Sequence, residues 1–307
     1  MRAAIRGVRS VEIELADPAR AAAFYAEVWN LEPVATADGA WRFRGTGAHH
    51  HILAIHQGAG APAIRRVVLD GVDRGAVEAL YGNVGCGPGP VEAPRALEWP
   101  GGGYGFGFKD PEGRNFAVVC EVADHAPRAV AADRPTKVSH VNFNAADIEA
   151  TTRFFVEVLG LRVIDTTPAL TFFHGASSDH NALVAAKAAA PTLNHVAFEM
   201  PDLASVMRGA GRMRENGYPI EWGIGRHGAG NNVFAYFAGP EEMPLEYTAE
   251  MEQVDETYVS HGPEHWRFAP GRSDRWGVTN PPSARLKRIQ GMFRFTADGY
   301  RLGEREG

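Results

Sequence analysis

Apolar and polar residues alternate over much of Val8-Arg-Ser-Val-Glu-Ile-Glu-Leu15, and again over Val138-Ser-His-Val-Asn-Phe-Asn-Ala145. Alternation of that kind is the signature of a half-buried strand. In each case an Asp follows (Asp17, Asp147) just ahead of a helical run. An Asp there predicts an N-cap, since its carboxylate satisfies free backbone donors of the first turn. Both helical runs stop at a residue that tolerates a left-handed backbone, Asn30 in one and Gly160 in the other.

These two stretches are copies of one another. Val8 to Val34 and Val138 to Ile164 align at an offset of 130, pairing Phe24-Tyr25 with Phe154-Phe155 and Leu31 with Leu161. Further on, Ile64-Arg-Arg-Val-Val-Leu-Asp70 matches Leu193-Asn-His-Val-Ala-Phe-Glu199, and Phe106-Gly-Phe-Lys-Asp-Pro111 matches Ala235-Tyr-Phe-Ala-Gly-Pro240, now at an offset of 129. Each copy reads strand, helix, three strands, and then the same again. The expected fold class is α+β: tandem βαβββ modules, two per domain, each pair closing a cupped half-barrel. The first domain is expected over 1–124, a linker rich in Ala, Pro and Arg over 125–135, and the second domain over 136–250. A tail over 251–307 is left to pack on a surface or to act as a lid on a site.

Composition narrows the function classes. Among 307 residues, 31 Lys and Arg face 37 Asp and Glu, a net charge of −6. No basic excess is available for a nucleic-acid backbone. No run of about 18 apolar residues predicts a membrane span, and the first ten residues lack the apolar stretch of a signal peptide. The two cysteines, Cys86 and Cys120, form no CxxC pair, which suits a reducing, cytoplasmic setting.

The candidate chemistry lies where the copies differ. His140 falls opposite Ser10, His195 opposite Arg66 and Glu246 opposite Ala117. All three second-copy residues sit on predicted strands, so one side chain from each can converge on a common point. Two imidazoles and a carboxylate on one face of an octahedron leave open positions, the arrangement of non-haem Fe(II) oxygen chemistry. The tract His49-His50-His51 lies in the copy that lacks these ligands, with His50 aligned on His180, and is expected to be structural or solvent-facing.

On these residues the chain resembles the vicinal oxygen chelate superfamily, and within it the two-domain type I extradiol ring-cleaving dioxygenases. The resemblance covers about residues 5–250. Its most specific part runs from Gly225-Arg-His-Gly to Leu245-Glu-Tyr247, where His227, Tyr236 and Glu246 reproduce a spacing of nine and then ten residues. His180 stands fifteen before His195, near the distance at which the family carries its acid–base histidine, and His174 lies close by. The resemblance implies metal ligands His140, His195 and Glu246. It also implies His180 as acid–base catalyst, with His227 and Tyr236 touching substrate oxygen. The implied cofactor is Fe(II), with Mn(II) as the alternative, and O2 is co-substrate. The implied reaction opens a small aromatic diol or triol beside its hydroxyl pair, in a protein expected to form homo-oligomers. Two alternatives stay open: another metal-dependent enzyme of the superfamily, of glyoxalase or epoxide–thiol transferase type, and a non-catalytic binding module of the same fold.

Overall fold

A computed structural model describes residues 3–35, 39–87, 89–126, 131 and 133–303. The extreme ends of the expected first domain and tail, and much of the expected linker, lie outside the described residues.

The first half contains β1 (Ile5–Leu15), α1 (Pro18–Ala23), β2 (Glu32–Val34), β3 (Trp41–Arg44), β4 (Leu53–Gln57), β5 (Ala63–Gly71), α2 (Arg74–Gly85), β6 (Arg95–Ala96), β7 (Tyr104–Lys109) and β8 (Asn115–Cys120). The second repeats it with β9 (Val138–Ala145), α3 (Ile148–Arg153), β10 (Arg162–Thr166), β11 (Leu170–His174), β12 (Leu183–Lys187), β13 (Leu193–Glu199), α4 (Leu203–Glu215), β14 (Trp222–Arg226), β15 (Val233–Ala238) and β16 (Pro244–Ala249). The tail adds α5 (Ala284–Ile289) and β17 (Arg294–Phe295). Strand order is β2-β3-β4-β1-β5-β8-β7-β6 in the first sheet, with β17 beside β5, and β10-β11-β12-β9-β13-β16-β15-β14 in the second. Each sheet is therefore two βαβββ modules joined through an antiparallel central pair, β1–β5 or β9–β13.

Local chemistry explains the starts and stops. Asp17 accepts from Arg20 N at 3.0 Å and Asp147 from Ala150 N at 2.9 Å, each closing the first turn of its helix. Asn30 and Gly160 take φ of 65° and 71°, the left-handed stops that free Asn and Gly for this use. Both short helices widen into a π-turn, Phe24–Val28 and Phe154–Val158, which the alternation does not foretell.

One apolar core runs through both halves. Trp29 stacks on Tyr247 at 3.8 Å between ring centres, and the Tyr247 hydroxyl donates to Trp29 O at 3.1 Å. Arg114, fully buried, donates to Asp110 at 2.6 Å and crosses to Asn144 O and Thr151 Oγ1 at 3.1 and 2.8 Å. A buried guanidinium needs this many acceptors to offset lost hydration. β9 is buried along its whole length, so its polar residues His140, Asn142 and Asn144 are held within the fold and not on its outer surface. Among the described residues no helix is long and apolar enough to cross a membrane.

Candidate metal centre and active site

Cross-strand register places the candidate ligands. His140 on β9 pairs with Ala197 on β13, Ala197 pairs with Glu246 on β16, and Glu246 pairs with Tyr236 on β15. Directly paired residues share a face, so His140, Glu246 and Tyr236 project into one concavity, with His195 two positions from Ala197 on the same side. The small Ala197 leaves room between them.

The donor atoms close on one another. His140 Nε2 and His195 Nε2 are 3.4 Å apart, and they lie 3.5 and 2.9 Å from Glu246 Oε2. Three ligands at about 2.1 Å from a divalent ion, at right angles, would stand about 3 Å apart. A hydrogen bond to Asn194 fixes the histidine tautomer. His195 Nδ1 donates to Asn194 Oδ1 at 2.9 Å, leaving Nε2 with a free lone pair. A bulge in the β9–β13 ladder between Leu193 and His195 brings the adjacent Asn194 to the same cavity. Glu246 Oε2 is buried and has no hydrogen bond. Convergent lone pairs and an unsatisfied buried carboxylate oxygen fit a bound cation. His140, His195 and Glu246 form the metal-capable cluster among the described residues.

Burial alone would raise the Glu246 carboxyl, but the imidazoles of His140, His195 and His227 outweigh it and hold it well below the ordinary range. Burial also pushes His195 down, toward the neutral ring a metal needs, despite the pull of Glu246. Burial, then the nearby Glu246, raises the Tyr236 phenol well above its usual value, so it stays protonated.

A cavity of about 390 Å³ opens from this cluster. His227 lies on its wall, with Nε2 at 3.1 Å from Tyr236 Oη and its ring stacked on Phe234 at 4.0 Å. Leu170, Phe172, Val184, Trp222, Trp266 and Phe268 supply apolar walls. Asn142, Asn181 and Asn194 supply amides, and no Lys, Arg or Asp borders the space among the described residues. Trp266, Phe268, Ser273 and Gln290 come from the tail, which thus forms part of the wall.

The first domain carries the matching row without ligands. Ser10 pairs with Val68, Val68 with Ala117 and Ala117 with Gly107. Arg66, at the place of His195, is buried against Glu12 with Nε 3.2 Å from Oε2. The tail returns to fill this second cup: a Cβ at Gly107 would lie 1.6 Å from Tyr300 O, and Leu302 packs against the cluster of Val68, Leu97, Ala117 and Val119.

One expected residue is elsewhere. His180 does not reach the cavity. It is fully buried, with Nε2 at 2.8 Å from Asp165 Oδ2 and Nδ1 at 2.9 Å from Asn181 Oδ1. Asp165 also accepts from Tyr258 Oη at 2.8 Å and His261 N at 2.6 Å. The pair pins the start of the tail to β10. A ring with both nitrogens committed and no exposed face cannot meet substrate, so the acid–base role expected for His180 does not fit its position. Its neighbour Asn181 lines the cavity instead. His174 is also spent elsewhere, with Nδ1 at 2.8 Å from Asp179 O. In the His49–His51 tract, His50 stacks on His125 at 5.1 Å between ring centres, and its Nδ1 lies 3.1 Å from His51 Nδ1.

Comparison with known proteins agrees with this geometry. Residues 137–247 match the profile of the Glyoxalase/Bleomycin resistance protein/Dioxygenase superfamily. The solved structure of a Mn(II)-bound glyoxalase from Novosphingobium aromaticivorans is 35% identical, with a TM-score of 0.84 over 92% of this chain and 94% of that one. The chain belongs to the glyoxalase/bleomycin resistance protein/dioxygenase superfamily. Within this superfamily, metapyrocatechase 2 from Cupriavidus necator is 33% identical over 122 residues, which is 39% of this chain and 38% of that relative. The chain thus matches well under half the length of this curated relative. BphC, a halotolerant catechol dioxygenase, shares the fold at 18% identity, with a TM-score of 0.76 over 84% of this chain and 91% of that one.

Proposed function

We propose that this protein is an extradiol ring-cleaving dioxygenase, inserting both atoms of O2 into a catechol-type aromatic diol beside its hydroxyl pair. His140, His195 and Glu246 hold a divalent ion, Fe(II) in the first instance and Mn(II) as the alternative. The carrying observation is that two histidines and one carboxylate converge on one side only, with an apolar cavity on the other. Such a set leaves coordination positions for small ligands. When bound, the ion supplies a centre that can chelate a diol and lower its hydroxyl pKa. With one carboxylate ligand its net charge is near +1, so a singly deprotonated diol brings the buried site close to neutrality.

The chain's own residues orient and shield the reactants. The aromatic walls exclude water, and exclusion strengthens every polar contact within. Tyr236, kept protonated, presents its phenol beside the ligands and shares hydrogen bonding with His227 Nε2. With no Lys or Arg on the cavity wall among the described residues, nothing there would offset a carboxylate or sulfonate on the ring. The favoured substrate is therefore an uncharged diol of one or two rings.

The test is anaerobic loading with Fe(II), then addition of a panel of neutral diols and oxygen. Oxygen uptake with a yellow ring-opened product is expected. Metal-loaded protein that consumes no oxygen with any diol would overturn the reading. The alternative, which the comparisons do not favour, is a glyoxalase-type activity like that named for the Mn(II)-bound structure at 35% identity, an isomerase of an α-oxoaldehyde–thiol adduct. That reading predicts turnover of the adduct without oxygen consumption.

A further inference from the structure

In the cavity wall, Asn181 is 2% exposed and its Nδ2 has no partner. Its other amide atom is committed, since Oδ1 accepts from His180 Nδ1 at 2.9 Å. His180 is itself locked by Asp165 at 2.8 Å, and its backbone N donates to Glu252 O at 2.9 Å. In this placement Oδ1 takes the His180 bond and Nδ2 is the amide atom left without a partner. An unpartnered buried amide donor costs free energy unless a ligand supplies an acceptor. Asn142, also in the cavity lining, has a buried Oδ1 without a partner and stands two residues along β9 from the candidate ligand His140.

We propose that Asn181 is a substrate-positioning residue, donating its amide N–H to an oxygen of the aromatic diol held at the metal-capable cluster. The Asp165–His180 pair is the brace that aims it. This deepens the dioxygenase reading and rests on it for the identity of the ligand. An amide donates and accepts but does not titrate in the working pH range. Asn181 therefore fixes the ring without carrying a proton. The substitution of function runs between adjacent residues: the imidazole supports from behind, and the amide makes the contact.

The experiment uses the full chain loaded with Mn(II) or Fe(II) under nitrogen. The probe is 4-nitrocatechol, whose visible absorption reports its ionisation. Asn181→Leu, near in volume and without a donor, is expected to keep its full metal content and bind the probe about tenfold more weakly, the loss of one hydrogen bond in a buried site. Asn181→His should restore binding in part and add a titration near neutral pH, where imidazole titrates, to a probe-binding profile that shows none at this residue in the parent. If Asn181→Leu binds the probe as tightly as the parent, or loses metal together with the probe, the positioning role is wrong. If the parent binds nitrocatechol and Asn181→Leu does not, yet no diol ever consumes oxygen, the dioxygenase reading fails while the role of Asn181 stands.

Discussion

Gln290 Nε2 donates to Asn194 Oδ1 at 2.9 Å, the same oxygen that accepts from Nδ1 of the candidate ligand His195. Asn194 in turn donates from Nδ2 to Asn144 Oδ1 at 2.9 Å, and Asn144 donates to Gln290 O at 2.6 Å. A residue just beyond α5 of the tail thus closes a ring of amides behind the metal-capable cluster. Groups that orient a ligand histidine typically contribute about 10- to 100-fold in metal affinity. Gln290→Ala is expected to weaken metal binding by about tenfold with little change in thermal midpoint. Chelator competition measures this directly, and unchanged affinity would remove the tail from the support of the site.

The ligand assignment itself has an internal control. His195→Ala is expected to abolish stoichiometric metal binding, whereas Arg66→Ala, at the equivalent place in the first domain, should leave metal content per folded molecule intact. Ala197→Leu should also cost metal, because Ala197 sits in register between His140 and Glu246 and a larger side chain enters the space between the donor atoms. Elemental analysis of the dialysed proteins decides all three. Equal metal in the His195 and Arg66 variants would refute the set.

How far the site could be read in advance depended on periodicity. Strands carry a period of two, so the repeat fixed which residues of β9, β13 and β16 share a face, and His140, His195 and Glu246 could be grouped before any coordinates. His227 and Tyr236 came from a spacing of nine and then ten residues shared with the family that the chain resembles. Asn181 did not, because the bend Ser178–Asn181 has no alternation to say which of two neighbours faces inward. His180, the more reactive residue type, drew attention away from its neighbour Asn181, which lines the cavity. Asn194 stayed hidden for a related reason: only a bulge lets two consecutive strand residues serve one cavity. The tail has no pattern at all, and its double use, lining one cup and plugging the other, is tertiary information.

That plug is testable. The backbone of Tyr300 lies so close to Gly107 that any side chain collides with it. Gly107→Ala should lift residues 296–302 from β7 and expose Val68, Ala117 and Leu302. Overpacking of this kind costs about 1–3 kcal/mol. A lower calorimetric midpoint with faster proteolysis of the C-terminus is expected, while metal content stays at the parent level. A midpoint equal to the parent's would mean that the tail does not brace the first domain.

The first cup also predicts how stability responds to acid. Glu12 sits almost fully buried, 2.9 Å from His56 Nε2 and 3.2 Å from Arg66 Nε. Burial alone would raise its carboxyl, but Arg66 and His56 outweigh that and hold it far below the ordinary range. The unfolded chain, with a Glu near its usual value of about 4.3, therefore binds a proton more readily than the folded one between those two values. Stability from this group is present above about pH 4.3 and drains away as pH falls toward the folded value. Glu12→Gln removes the slope and leaves the buried Arg66 without its counter-charge, a loss of roughly 3 kcal/mol at neutral pH. Chemical denaturation of parent and variant at pH 7 and again at pH 4 reads the difference. The gap should begin to narrow at pH 4, because the unfolded parent takes up a proton there that the folded chain, with Glu12 held ionised, does not. A gap of constant size would show that Glu12 is not the group that couples folding to pH, and that the charge standing where the second domain carries a ligand is balanced elsewhere.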